Sequence, residues 1–332
     1  MQYSERLGSI NNAQFQKALD KFNLGLLTKT EKILFGNFGQ NIFLTTTKGN
    51  FVLRGKPHYS WQFKNEKLMV DLLHEKTNTK VPHPYLIDEN TDIFGWSYVI
   101  MPRLGGRQLI DKNEQKNLTL KDWKEIASAY AINLIEMHKL TYKYSGKYTD
   151  NYIGIKPFSP SFSSWIIQSI NILLDKSSSY NKKTTEQDKK WITELLNHRK
   201  EALEEPFKPT FTMQDYQITN TLVDKVDGQW IVTGVFDFME SYFGDCEVDL
   251  SRMFLKLHEN DKELAYIFLN TYLRRKKIRR GFSDRFAIYI VLDRLLVWEW
   301  AQRTGKLWWD PDMSLSDWCK RYTKLDKNYL GL

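Results

Sequence analysis

Asp215, Asn220 and Asp237 are three oxygen-bearing side chains whose spacing could do chemistry in this 332-residue chain. They fall in the stretch F-T-M-Q-D-Y-Q-I-T-N-T-L-V-D and the following V-T-G-V-F-D-F. Hydrophobic runs at Leu222-Val223 and from Ile231 to Phe236 predict two short strands, and the Asp-Gly signal within Asp224 to Gly228 predicts the turn between them. A hairpin of that kind brings Asn220 and Asp237 to the same end. Hard oxygen ligands from two backbone segments suit a Mg2+ ion that keeps several waters and completes its shell with substrate phosphates. Asp215, in the loop before the first strand, sits where a carboxylate would accept a proton from an attacking hydroxyl.

D-x-x-x-x-N, a strand, a turn and then D-F resembles the catalytic core of the aminoglycoside phosphotransferase family, with related cores in choline, fructosamine and methylthioribose kinases. The family usually writes His-Gly before the Asp, where this chain has Met213-Gln214. The later G-D-x-x-x-D-L, Gly244-Asp245 to Asp249-Leu250, also looks like the family's pattern. The resemblance implies an α+β, bilobal, protein-kinase-like fold. An N-terminal antiparallel sheet with a helix, residues 1–103, would bind nucleotide. A larger, mainly helical C-terminal lobe, residues 104–332, would hold the catalytic and substrate-binding groups, with an inserted helical region at about 142–205.

The elements that must position these groups are legible along the chain. Asn12 to Phe22 reads as a helix opened by an Asn cap, and Glu31 to Phe35, Ile42 to Thr47 and Phe51 to Arg54 read as strands. Between the first two strands lies G-N-F-G-Q-N, where Gly36 and Gly39 allow a tight turn that brings backbone N–H groups, through Asn41, close to phosphates. The resemblance places a phosphate-gripping cation at Arg54, with Lys56 as a competing candidate on the same strand face. It also pairs that cation with Glu66, in a helix expected from Trp61 to Glu75. Tyr85 to Ile87 and Ser97 to Met101 would complete the sheet, and backbone groups of Met101, Pro102 and Arg103 would hold a purine at the hinge.

Thr119 and Asp122 form a capping box opening a helix to about Lys139, whose His138 reads as structural. Within the insertion, Ser163 to Leu174 and Glu186 to Leu203 read as helices joined by a mobile polar loop, Ser177 to Thr185. After Asp249 the chain is again helical, with helices expected at Asp261 to Arg274, Ser283 to Arg303 and Leu315 to Tyr329.

Hydrophobic content of 42% with 14% aromatic residues describes a folded protein. The formal charge of +8 is spread rather than concentrated, and the run R-R-K-K-I-R-R, Arg274 to Arg280, reads as a solvated helix end and loop, so nucleic acid is not an expected partner. Two cysteines, Cys246 and Cys319, provide neither a metal spacing nor a disulfide framework, and no apolar run approaches a membrane span. The expectation is a cytoplasmic monomer or homodimer that uses Mg2+ and ATP or GTP to phosphorylate a hydroxyl of a small molecule. An aminoglycoside or related antibiotic is one acceptor class; a sugar, amino alcohol or nucleoside derivative is the alternative. Acidic residues at Glu240, Asp245, Glu247, Asp249, Glu299, Asp310 and Asp312 are candidates for binding ammonium groups, with Asp249 read rather as a structural brace. A nucleotide-binding pseudokinase is the reading from another class.

Overall fold

The computed structural model describes residues 2–33, 39–110, 112–151, 154–180 and 183–330. A short ribbon of β1 (Gln2–Ser4) and β2 (Gly8–Ser9) leads into α1 (Asn12–Lys21). Asn11 caps that helix by accepting the Gln14 N–H, and the Gln14 side chain accepts the Asn11 N–H in return. There follow β3 (Leu27–Lys32), β4 (Asn41–Thr46), β5 (Gly49–Gly55), α2 (Gln62–Lys76), β6 (Leu86–Asp88) and β7 (Tyr98–Pro102). The five strands form one antiparallel sheet in the order β3-β4-β5-β7-β6.

Strand β3 begins four residues earlier than expected, because it is Leu27 to Lys32 that pair with Thr46 to Ile42 of β4. Leu34 to Phe38, which include Gly36, lie outside the described residues. The pleat sends alternate side chains to opposite faces. Ile42, Leu44 and Leu53 pack with Phe15 and Leu19 of α1, while Val52, Val99 and Met101 join the core beneath α2. Arg54 therefore points to the α2 face, one position from the apolar Leu53.

The second part begins with α3 (Lys112–Lys116) and α4 (Leu120–Met137), which Thr119 and Asp122 open with the expected capping box. Then come β8 (Gly146–Tyr148), β9 (Ile155–Pro157), α5 (Phe162–Tyr180), α6 (Glu186–Arg199) and β10 (Thr210–Thr212). The hairpin is β11 (Thr221–Val226) and β12 (Gln229–Val235), and β13 (Tyr242–Gly244) leads to α7 (Asp249–Asn260), α8 (Lys262–Leu273), α9 (Phe282–Thr304) and α10 (Leu315–Lys320). Helix α9 is buried along most of its length and packs against α5, α6, α7 and α10, which is why its apolar residues are not confined to one stripe and why Arg285, Asp293, Arg294 and Glu299 are buried on it too.

Three readings are corrected here. The polar run at Ser177 does not begin a loop: α5 continues through Tyr180, and the buried Ser177 hydroxyl donates to the Leu174 carbonyl. The final helix stops at Lys320 instead of Tyr329, because the chain turns to bury Tyr322 and to place Asp326 2.6 Å from Lys262. The insertion is not wholly helical, since β8 and β9 join β10 and β13 in a four-stranded sheet. Among the described residues, no helix is long and apolar enough to cross a membrane.

Candidate active site

Arg54 is buried at the end of β5 and meets two carboxylates. Its Nη1 lies 2.8 Å from Glu66 Oε2 on α2, and its Nη2 lies 3.0 Å from Asp237 Oδ1 just after β12. Glu66 is almost wholly buried and is held further by the Tyr85 hydroxyl at 2.7 Å and the Gln62 side-chain amide at 3.1 Å. Burial opposes the charge on Arg54, but Glu66 and then Asp237 outweigh it and hold the guanidinium protonated. Its Nε is buried and has no acceptor. An arginine fork with a buried donor to spare suits a phosphate oxygen.

Lys56 does not share this position. It lies past the end of β5 with φ of 50°, where strand alternation no longer applies, and its ammonium donates to the Arg6 carbonyl. Of the two cations, Arg54 is the one that meets Glu66 and Asp237. Nearby, the buried Gln40 donates to the carbonyls of Gly55 and Lys56, a tie that no sequence motif announced. Gly39 has φ of +58°, and its carbonyl accepts the Ser4 hydroxyl, which leads the chain into β4 at Asn41.

At the hinge, Met101 pairs with Val52 across β5, and the Arg103 N–H donates to the Asn50 carbonyl. The Met101 backbone and the Arg103 N–H are thus committed to the sheet, and Pro102 has no N–H to offer. Antiparallel alternation turns the Pro102 carbonyl away from β5, past the end of β6. The Pro102 carbonyl is therefore a backbone acceptor that the β5–β7 pairing leaves free. The Arg103 guanidinium instead stacks 3.7 Å over the Phe43 ring.

Asp215, Asn220 and Asp237 converge as expected, and the reason is partly backbone. The β11–β12 register pairs Thr221 with Val235, and the Phe236 N–H donates to the Asn220 carbonyl, so the residues flanking the hairpin ends are neighbours. Asn220 Nδ2 donates to both the carbonyl and the carboxylate of Asp215, at 3.0 and 2.9 Å. With the amide nitrogen so committed, the oxygen Oδ1 is the Asn220 atom that can ligate a metal. Asp237 itself sits at φ of 72° and Gln214 at 67°, left-handed conformations that non-glycine residues rarely adopt. Burial raises the Asp215 carboxyl above its ordinary range, with Arg252 and Asn220 working against that shift.

The loop carrying Asp215 hangs from Asp249. That buried carboxylate accepts the N–H groups of Met213 and Gln214, at 2.8 and 2.6 Å, and lies 3.2 Å from His138 Nε2. His138 is completed by the Tyr272 hydroxyl at 2.8 Å, so both residues brace the loop. Asp245 and Glu247 are likewise internal, paired with Arg279 and Arg285 and, for Asp245, the Tyr289 hydroxyl. Arg279 therefore turns inward from a basic run read as solvated. A link between the two parts of the chain comes from Asn65, beside Glu66, whose side-chain amide donates to the Met239 carbonyl at 2.8 Å.

Sequence reasoning missed Gln40, Gln62, Tyr85, Gln217 and Arg252. Gln217 Nε2 reaches Asp215 Oδ1 at 2.6 Å, and its place two positions after Asp215 was the available signal. A concavity of about 720 Å³ lies elsewhere, between α4 and the β11–β12 turn, lined by Leu120, Lys124, Ser128, Ile132, Gln229 and Trp230. It holds none of the groups described above.

A twisted sheet carrying a buried Arg–Glu pair, set against a helical part that presents Asp, Asn and Asp, defines a kinase-like fold of the phosphotransferase class. Residues 31–282 match the model of the phosphotransferase enzyme family, and the chain belongs to that family. None of the curated proteins matches it by sequence. Solved structures share the fold at low identity. The aminoglycoside phosphotransferase APH(4)-Ia, as a thermostable mutant in ternary complex with ADP and hygromycin B, is 14% identical with a TM-score of 0.65, covering 93% of this chain and 96% of its own. A fructosamine-3-kinase homologue from Thermobifida fusca is 16% identical with a TM-score of 0.63, covering 94% and 99%. The GDP complex of aminoglycoside 2'-phosphotransferase-IIIa is 13% identical with a TM-score of 0.59, covering 94% and 97%.

Proposed function

We propose that this phosphotransferase moves the γ-phosphoryl group of ATP or GTP to a hydroxyl of a small molecule in the cytoplasm. The observation that carries the reading is the continuous set of contacts from Glu66 through Arg54 to Asp237, beside the Asp215–Asn220 pair. Residues 1–103 serve as the nucleotide-binding lobe and residues 104–332 as the catalytic and acceptor-binding lobe. Arg54, oriented by Glu66, grips the nucleotide phosphates. The glycine turn through Gly36, Gly39 and Asn41 covers them, and the hinge at Met101 to Arg103 takes the purine through the Pro102 carbonyl. Asn220 Oδ1 and Asp237 would hold Mg2+, which when bound neutralises charge on the phosphates. Asp215 aligns the acceptor hydroxyl and takes its proton. The transition state is loose, so positioning outweighs base strength.

An aminoglycoside, of the kind bound by the fold relatives, is one acceptor class. A second reading, a sugar, amino alcohol or nucleoside derivative with little positive charge, is favoured by the state of the acidic residues. Asp245, Glu247, Asp249 and Glu299 are all satisfied internally, Glu299 by Tyr180 and Arg303. Their negative charge is largely neutralised, which leaves Glu240, Asp310 and Asp312 as the carboxylates that could meet a polyamine. Glu240 has no hydrogen bond or ion pair among the described residues. Although solvent reaches it, desolvation by surrounding protein, followed by the charges of Asp215 and Asp237, raises its carboxyl.

The test is Mg2+-dependent nucleotide consumption, with ATP and GTP separately, against polycationic aminoglycosides and neutral or singly charged hydroxyl compounds. Stimulation by one class, lost in Asp215→Asn, supports the reading and names the acceptor class. Nucleotide binding without transfer to any acceptor would favour a pseudokinase.

A further inference from the structure

Arg252, on the first turn of α7, bridges two carboxylates on different elements. Its Nη1 donates to Asp215 Oδ1 in a very short contact, and its Nε donates to Asp293 Oδ1 on α9 at 2.5 Å. Asp293 is buried, and its other oxygen accepts the Arg294 Nη2 at 2.9 Å. Arg294 continues to Glu259 at 3.3 Å and stacks 4.3 Å over the Trp318 ring. A row of alternating charge thus runs from Asp215 into the packed helices α7 and α9.

The donors around Asp215 divide unequally. Oδ1 accepts from both Gln217 Nε2 and Arg252 Nη1, which fills its two lone-pair directions, whereas Oδ2 accepts from Asn220 Nδ2 alone among the described residues. One lone pair of Oδ2 stays open. We propose that Arg252, anchored by Asp293, is a positioning residue that clamps the Asp215 carboxylate so that Oδ2 is the atom receiving the acceptor's proton. This rests on the phosphotransferase reading. In the step, the acceptor O–H bond breaks and its proton passes to Oδ2. The acceptor oxygen forms the new bond to the γ-phosphorus, the bond from that phosphorus to the β,γ-bridging oxygen breaks, and its electron pair leaves with the nucleoside diphosphate. Arginine suits the clamp because Nε and Nη1 point to separate partners in a fixed plane, which a single ammonium nitrogen cannot reproduce.

A bracing role would lower stability and activity together, whereas a positioning role acts through Asp215. The experiment uses the full chain and Mg2+-dependent ATP hydrolysis, with water as the acceptor. It compares wild type, Arg252→Met, Arg252→Lys, Asp293→Asn, Asp215→Asn and the Asp215→Asn/Arg252→Met double variant. Arg252→Met is expected to lower kcat by about 10-fold or more with the KM for ATP within about 2-fold. Arg252→Lys should recover only part of that loss. Asp293→Asn keeps an acceptor for Nε, and should show a smaller fall in kcat. The double variant should be no slower than Asp215→Asn. Multiplied losses in the double variant, or an unchanged kcat in Arg252→Met, would overturn the proposal. A wild-type protein that consumes no nucleotide with any acceptor overturns the phosphotransferase reading along with it.

Discussion

Arg54 and Asp237 are separated by 183 positions in the chain and meet at 3.0 Å. One lies near the end of a strand of the N-terminal sheet and the other follows the hairpin of the helical part, so their contact joins those two parts of the chain. The same guanidinium pairs with the buried Glu66. Arg54→Met would leave Glu66 buried without its cation, and is expected to destabilise the fold by about 3–5 kcal/mol. Urea denaturation measures this, with Arg54→Lys as the milder comparison because it keeps the charge. A loss under about 1 kcal/mol would mean that the pair is already solvated.

Asp215→Asn should reduce acceptor-dependent turnover by about 100-fold or more while nucleotide affinity stays similar. Titration with nucleotide and steady-state kinetics separate the two quantities. Near-normal turnover would remove Asp215 from its role.

The motif around Asp215 was readable because its residues are close in sequence and bounded by strand signals. What surrounds it was not. Gln62 and Tyr85 reach Glu66, and Arg252 reaches Asp215, only because elements distant in sequence pack together, and an isolated Gln, Tyr or Arg carries no periodic or spacing signal. Lys56 shows the converse: strand alternation put it beside Arg54, and the positive φ that ends the strand turned it away. In the helical part, pattern located α4 and α9 well. The three-residue strands β8 and β9 are too short for alternation to show.

Gln214 occupies a left-handed position where the family usually has glycine. Gln214→Gly should relieve this strain and raise stability by up to about 1 kcal/mol, less what the freer unfolded chain takes back. Thermal melting of the variant checks it. A marked destabilisation would show that the Gln214 side chain makes a contribution that outweighs its backbone strain.

His138 links pH to stability. Burial opposes its charge, but Cys246 and the 3.2 Å contact with Asp249 outweigh that and push its pKa up to about 9, from an ordinary 6.5. A pKa raised on folding means that the stabilisation is complete below about 6.5 and is lost as pH rises through 9. The melting temperature should therefore fall between pH 6.5 and 9.5 more steeply in wild type than in His138→Gln. Parallel curves for the two proteins would show that His138 is neutral in the folded state.

Adjacent residues of α2 hold two different parts of the chain. Glu66 holds the Arg54 guanidinium, while Asn65 holds the Met239 carbonyl just past Asp237. The helix consequently acts as a single latch, because neither attachment can be released by a rotation of α2 without disturbing the other. Any outward movement of α2 would part Glu66 from Arg54 and Asn65 from the segment after Asp237 together.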